Sequence, residues 1–154
     1  MTAFIVRKIR ESDALGLSLL FPEWGISRAK KEIKKTILKK SNLRLVAEKD
    51  SLIVGHIMAK PGSAHHSHIA TLYSLSVEPS QRRQGIATEL LHQAIKLLPS
   101  RTEIVLLQVQ ADNKPAKKLF EKMGFTQYGY LKNAFKKNGV DKDNILMCKF
   151  LSKP

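Results

Sequence analysis

The run Leu75-Ser-Val-Glu-Pro-Ser-Gln-Arg-Arg-Gln-Gly-Ile-Ala-Thr-Glu-Leu-Leu91 decides how the rest of the chain is read. Leu75 and Val77 end a strand pattern, Pro79 marks a turn, and Ile86, Leu90 and Leu91 begin a helical stripe. Between turn and stripe lies Arg82-x-x-Gly85-x-Ala87. A loop of this form opening a helix turns several backbone N–H groups one way, with no partner inside the helix. The helix dipole adds positive potential behind them, which suits a pyrophosphate. Gly85 removes the side chain that would block close approach, and glycine accepts backbone angles that other residues resist. Arg82 and Arg83 add charge, Gln84 and Ile86 lie within the loop, Ala87 keeps the first turn thin, and Thr88 adds a hydroxyl. An isolated pattern of this kind also describes an ordinary helix start after a basic turn, so the surrounding elements have to decide.

Upstream, residues 4–10 alternate like a strand. Ser12 and Asp13 can cap a short helix to Leu20, and Pro22 and Gly25 break it. Ser27 then caps a helix from Arg28 to Lys40, with Ala29, Ile33 and Ile37 as its buried stripe and lysines 30, 31, 34, 35, 39 and 40 around it. Those lysines read as a solvated face, with an acidic-substrate or polyanion surface as the functional alternative. Leu43–Lys49 and Leu52–Lys60 form a hairpin about Asp50-Ser51. His68–Val77 is a strand with Ile69, Thr71, Tyr73, Leu75 and Val77 on one face. The helix of the opening stretch runs from Gln84 to Leu98, its apolar face formed by Ile86, Leu90, Leu91, Ala94 and Leu97.

Glu103–Gln110 reads as a buried central strand. Asn113 caps a helix carrying Ala116, Leu119, Phe120 and Met123, and Gly124 ends it. Phe125–Phe135 and Asn144–Leu151 are the last strands, with Asn138-Gly139 as the turn signal between them. The order β-α-α-β-β-β-α-β-α-β-β implies a mixed α/β sheet with helices on both faces, as one domain over residues 1–154.

The chain has 154 residues, 27 Lys plus Arg against 13 Asp plus Glu, and a net charge of +14. That field attracts polyanions, acidic proteins and phosphorylated cofactors without choosing among them. One cysteine, Cys148, leaves no disulfide framework and no cysteine-rich metal site. No apolar run reaches the ~18 residues of a membrane span. Charges interrupt the N-terminal region where a signal peptide needs its apolar centre, so a cytoplasmic location is expected.

Two segments then carry a family resemblance. Leu75-Ser-Val-Glu-Pro with Arg82-x-x-Gly85-x-Ala87 and Leu90-Leu91 resembles the acetyl-CoA pyrophosphate motif of the GCN5-related N-acetyltransferases (GNAT). Leu107-Gln-Val-Gln-Ala-Asp-Asn113-Lys-Pro-Ala116-Lys-Lys-Leu119-Phe120-Glu-Lys-Met-Gly124-Phe125 is similar to the strand and helix that follow it in that family. The ending, from Tyr128 to Met147, is similar to a bacterial branch. The resemblance implies a seven-stranded, mostly antiparallel sheet with two splayed parallel strands at its centre.

It also implies acetyl-CoA as co-substrate and direct acetyl transfer to a primary amine in a ternary complex. The backbone of Leu75, Ser76 and Val77 would read the pantetheine arm. Residues Arg82, Arg83, Gln84, Gly85, Ile86, Ala87 and Thr88 would hold the pyrophosphate, with Asn113, Lys114 or Lys117, and Phe120 beside the cofactor. The family's usual tyrosine acid falls at Phe120, which has no proton to give. Tyr73 is the first replacement hydroxyl, followed by Tyr128 and Tyr130. Thr71 stands where some members carry a glutamate base. Because many relatives pair, a homodimer is an implied option.

The alternative is a GNAT-fold module of weak activity whose basic surface engages nucleic acid or a ribosomal partner. It ranks lower, because aromatics are 6% and fall mostly at core-patterned positions. His65, His66 and His68 lack the accompanying ligands of a metal site, so no metal is expected. They read as a loop rim, where His68 or His56 could relay a proton. Trp24 could line the acceptor pocket, and Cys148 reads as a packing thiol. The acceptor, a small-molecule or protein amine, is not written in the sequence.

Overall fold

The computed structural model describes residues 3–23, 25–39 and 42–152, with every side chain among them except that of Lys39. The readings made for Trp24 and Lys40 lie outside the described residues. Seven strands form a sheet in the order β1-β2-β3-β4-β5-β7-β6. They are β1 (Ile5–Lys8), β2 (Leu43–Lys49), β3 (Leu52–Pro61), β4 (Ile69–Val77), β5 (Ile104–Gln110), β6 (Thr126–Lys137) and β7 (Val140–Phe150). The helices are α1 (Ala14–Leu20), α2 (Gly25–Lys39), α3 (Ile86–Lys96) and α4 (Lys114–Lys122). None of them, over the described residues, is long and apolar enough to cross a membrane.

The contacts group into two compact units. The first holds the chain up to Lys60 together with Tyr73–Leu98; the second holds Pro61–Leu72 and the chain from Pro99 onward. Strand β4 therefore contributes its first residues to one unit and its last to the other.

In the first unit β2 is buried on both faces, Leu45 and Ala47 on one and Arg44 and Val46 on the other. Val46 packs with Ile9, Ala14, Leu17, Ala29 and Ile33, so α1 and α2 cover that side. A methyl group on Gly55 of β3 would come within 3.0 Å of both Ile86 and Leu90 and 3.3 Å of Ala47. The missing side chain lets α3 close on the other side. The β2–β3 hairpin turns through Asp50 and Ser51, both at positive φ (50° and 63°), the primed turn that matches strand twist. Helix α2 begins at Gly25, two residues ahead of the expected Ser27 cap. Its buried stripe is Ala29, Ile33 and Thr36, whereas Ile37 is 41% exposed. Thr36 wins the inward position because it has a buried partner in Arg44. Leu97 is exposed and Leu98 buried in its stead, since α3 ends at Lys96.

In the second unit β5 buries Val105, Leu107 and Val109, but Gln108 is exposed, so this strand is covered on one face where two were expected. It runs antiparallel to β7, and β7 pairs with β6 through a turn at Asn138 and Gly139 (φ 51° and 76°). That hairpin is longer than the sequence pattern suggested, because the polar residues beside the turn still pair, Lys137 with Val140. Cys148 is buried, its Sγ 4.0 Å from Thr126 Oγ1.

Strand β4 breaks its own alternation. Ala70 and Leu72 are buried at even positions, yet Val77 is buried at an odd one. Ser74 between them has φ 55°, a left-handed conformation of the kind a bulge carries, and the buried positions change parity across it. The single face drawn through Ile69, Thr71, Tyr73, Leu75 and Val77 is thereby corrected. Parallel pairing of β4 with β5 covers Ile69–Thr71 against Ile104–Leu106.

Candidate functional site

Each part of the anion loop in the first unit has a local cause. Glu78 accepts from the backbone N–H (2.8 Å) and hydroxyl of Ser80, which closes a short 3-10 turn over Pro79–Gln81. Arg83 then takes φ 62° and Gly85 φ 81°. These two left-handed residues wind the chain into α3. The first helical bond inside this turn runs from Glu89 N to Gly85 O at 3.0 Å, and no side chain caps the helix. Among the described residues, the amides of 83–88 have no acceptor in the protein. A methyl built on Gly85 meets nothing within 4 Å, so the amides open onto free space. The dipole of the helix behind them adds positive potential, an arrangement that would suit an anion.

Charge around the cradle comes from three directions. Arg82 and Arg83 are exposed on the loop. Lys49, at the end of β2, donates to Gln81 Oε1 (3.0 Å) and Gln84 Oε1 (2.8 Å), while Gln84 Nε2 donates to Gln81 Oε1 (3.3 Å). The lysine both pins the loop and adds a cation to it. It lies 32 positions before Gln81, so no local pattern announces it. Thr88 is exposed in the first turn of α3, and Ile86 is buried beneath it, anchoring the loop to the core.

Leu75 and Ser76 are half-buried on the outgoing end of β4. Val77 is buried, and its carbonyl accepts from Arg82 Nε at 3.2 Å. That carbonyl oxygen keeps a second lone pair. Tyr73 is 44% exposed beside the Ser74 bulge. His56, expected at a polar rim, is fully buried and belongs to no rim. Its Nε2 lies 3.1 Å from Arg44 Nη1 and its Nδ1 3.0 Å from Ser74 O. Burial above all, with Arg44 adding to it and the Ser74 bond opposing it, pushes its pKa down to about 4. A side chain so enclosed cannot shuttle protons with solvent.

The remaining expected residues belong to the second unit. Asn113 caps α4, its Oδ1 accepting from Ala116 N at 3.2 Å, so only its amide NH2 is left for a ligand. Lys114 is exposed, and Lys117 lies 3.7 Å from Glu121 one turn on. Phe120 is buried, edge-on to Phe125 with ring centres 6.0 Å apart. Packing accounts for it, and it offers no proton. Tyr128 is exposed on β6. The Tyr130 hydroxyl donates to Asp143 Oδ2 at 2.6 Å, which raises its pKa and makes it a poorer acid. His65 and His66 are exposed in a short 3-10 turn. His68 holds the start of β5 through its carbonyl, which accepts from Glu103 N and Ile104 N.

Comparison with known proteins places the chain in a family. The family model described as Acetyltransferase (GNAT) family matches residues 11–125. An N-alpha-acetyltransferase of Sulfurisphaera tokodaii is 33% identical over 100 residues, covering 58% of this chain and 60% of that protein. A [ribosomal protein bS18]-alanine N-acetyltransferase of Escherichia coli is 34% identical over 79 residues, covering 51% of this chain and 53% of that protein. The chain thus matches little more than half the length of these relatives. Among solved structures, yncA of Salmonella typhimurium, with its cofactor acetyl-CoA, superposes with a TM-score of 0.83 at 15% identity. That match covers 99% of this chain and 96% of the other, a likeness of fold.

Proposed function

The chain belongs to the GNAT acetyltransferase family, and from that premise we propose that it moves an acetyl group from acetyl-CoA to a primary amine, as one N-acetyltransferase domain. The observation that carries this reading is the cradle at 83–88. It has six amides without acceptors among the described residues, a glycine opening onto free space, and Arg82, Arg83 and Lys49 around it. A pyrophosphate needs this combination of donors and positive potential. The backbone at Leu75–Val77 then reads the pantetheine amides as an added strand would.

Acetyl-CoA supplies an activated acyl group with a thiolate leaving group. The protein's part is to strip the acceptor amine of its proton, present a backbone N–H near Val77 to the developing oxyanion, and return a proton to the thiolate. Tyr73 and Tyr128 are the hydroxyls assigned to the last task; Tyr130 is engaged by Asp143. For the acceptor we favour a protein N-terminal amine, since the two curated relatives carry names of that kind. An amine with a pKa near 8, as α-amines have, loses its proton far more readily near neutral pH than a lysine side chain.

Calorimetric titration with coenzyme A and acetyl-CoA tests the donor half. Saturable binding is expected, and no heat at millimolar cofactor sinks the proposal. Thiol release measured over a panel of N-terminal peptides, lysine peptides and small amines then tests the acceptor half. Turnover confined to small amines overturns the N-terminal assignment.

A further inference from the structure

The strongest feature outside the anion loop is a buried polar chain that ends on the β4 bulge. It lies wholly in the first unit. Arg44 on β2 is 4% exposed. Its Nε donates to Thr36 Oγ1 (2.9 Å), its Nη2 to Glu32 Oε2 (3.0 Å) and its Nη1 meets His56 Nε2 at 3.1 Å. Thr36 in turn donates its hydroxyl to Glu32 O at 3.1 Å, which fixes its oxygen as the acceptor toward Arg44. Phe21 closes the other side, edge-on to the imidazole with ring centres 5.3 Å apart.

The protonation pattern follows from donor chemistry alone. A guanidinium has only donors, so His56 Nε2 must present its lone pair to Arg44. A neutral imidazole carries one N–H, which is then forced onto Nδ1. Nδ1 lies 3.0 Å from Ser74 O, and a carbonyl can only accept. Every polar contact along Glu32, Arg44, His56 and Ser74 thus has a fixed direction, set at one end by a carboxylate and at the other by the backbone of β4.

Ser74 is where this matters. A non-glycine residue at φ 55° is strained and persists only where its surroundings over-determine it. Leu75 follows it directly, and the bulge decides which way the backbone of Leu75–Val77 points. We propose that His56, with its tautomer locked by Arg44, is a positioning residue that holds the Ser74 bulge and so aims the β4 backbone that reads the pantetheine arm. The inference rests on the acetyl-CoA reading above. It adds a residue buried behind the strand that touches neither donor nor acceptor.

Two amide substitutions separate the halves of the contact. In His56→Asn the side-chain NH2 takes the place of Nδ1 and can still donate to Ser74 O. In His56→Gln the amide oxygen takes the place of Nε2 and can still accept from Arg44, while the donor to Ser74 is lost. Thermal denaturation first establishes that both variants fold. The three-bond HN–Hα coupling of Ser74, measured without ligand, then reports its φ, and calorimetry with coenzyme A reports the consequence. His56→Gln is expected to move the Ser74 coupling toward the extended value and weaken coenzyme A binding at least tenfold. His56→Asn is expected to rescue both.

An unchanged Ser74 coupling and unchanged coenzyme A affinity in His56→Gln overturn the proposal. Equal losses in the two variants overturn it as well, because the bond to Ser74 would then not be what His56 contributes. A wild-type chain that fails to bind coenzyme A overturns the acetyl-CoA reading instead, and the ligand-free coupling still decides whether His56 holds the bulge.

Discussion

Acidification from pH 7 to pH 4 puts a magnitude on the buried histidine. His56 is completely buried, and its pKa is held down to about 4, chiefly by burial, against 6.5 for an ordinary imidazole. Between those two values the unfolded chain binds a proton at this residue that the folded chain refuses. Stability therefore falls as the pH drops below about 6.5 and levels off below about 4. At about 1.4 kcal/mol per pH unit, the loss by pH 4 is on the order of 3 kcal/mol.

Asp13 also works against acid stability, but in a lower window. Burial raises its pKa, and the paired bonds from Arg7 (2.8 Å each) with the Arg10 amide outweigh that, so it ends below the usual carboxylate value. Its contribution is present above about pH 4 and is lost as the pH falls further. The interval from 6.5 to 4 thus isolates the histidine. Urea unfolding at pH 7, 6, 5 and 4, for wild type and His56→Asn, measures the difference directly, because carboxylates common to both cancel. The stability advantage of the wild type should shrink by about 3 kcal/mol across the series. A difference that stays constant within about 0.5 kcal/mol refutes the reasoning, since His56 would then be exchanging protons in the folded state.

Gly85→Ala should cost about 1 kcal/mol in thermal unfolding, because φ 81° strains an L-residue while its methyl meets no neighbour. Gly85→Glu should fold comparably yet show no calorimetric coenzyme A binding, as its carboxylate sits where the phosphates go; binding at wild-type affinity would remove the loop from the cofactor site. Lys49→Met should weaken coenzyme A binding several-fold and flatten its salt dependence, and an unchanged salt slope would reduce Lys49 to a loop pin. On α2, Lys30 and Lys34 are exposed like charges one turn apart. Lys30→Glu should therefore raise unfolding stability by roughly 0.4–1 kcal/mol, and a decrease would show that the helix surface is not solvated as it stands.

The sequence alone determined whatever is set within a few residues. A left-handed glycine ahead of a helix leaves its first amides without acceptors, so the open helix start at Arg82–Thr88 is legible from neighbouring residues alone. Asn138-Gly139 takes the two positive φ values of a primed hairpin turn, and Asn113 caps α4, for equally local reasons. The order of strands and helices followed from apolar period, and two motifs at matching spacing pointed to the family.

Only the tertiary structure decided what depends on partners far apart in the chain. Lys49 reaches Gln84 across 35 positions, and Arg44 reaches His56 across 12. Thr36 displaces Ile37 from the core because Arg44, on another element, needs its oxygen. The Ser74 bulge has no signature of its own, since serine is not a residue chosen for φ 55°. His56, 18 positions earlier, holds its carbonyl, and the buried positions of β4 change parity across it.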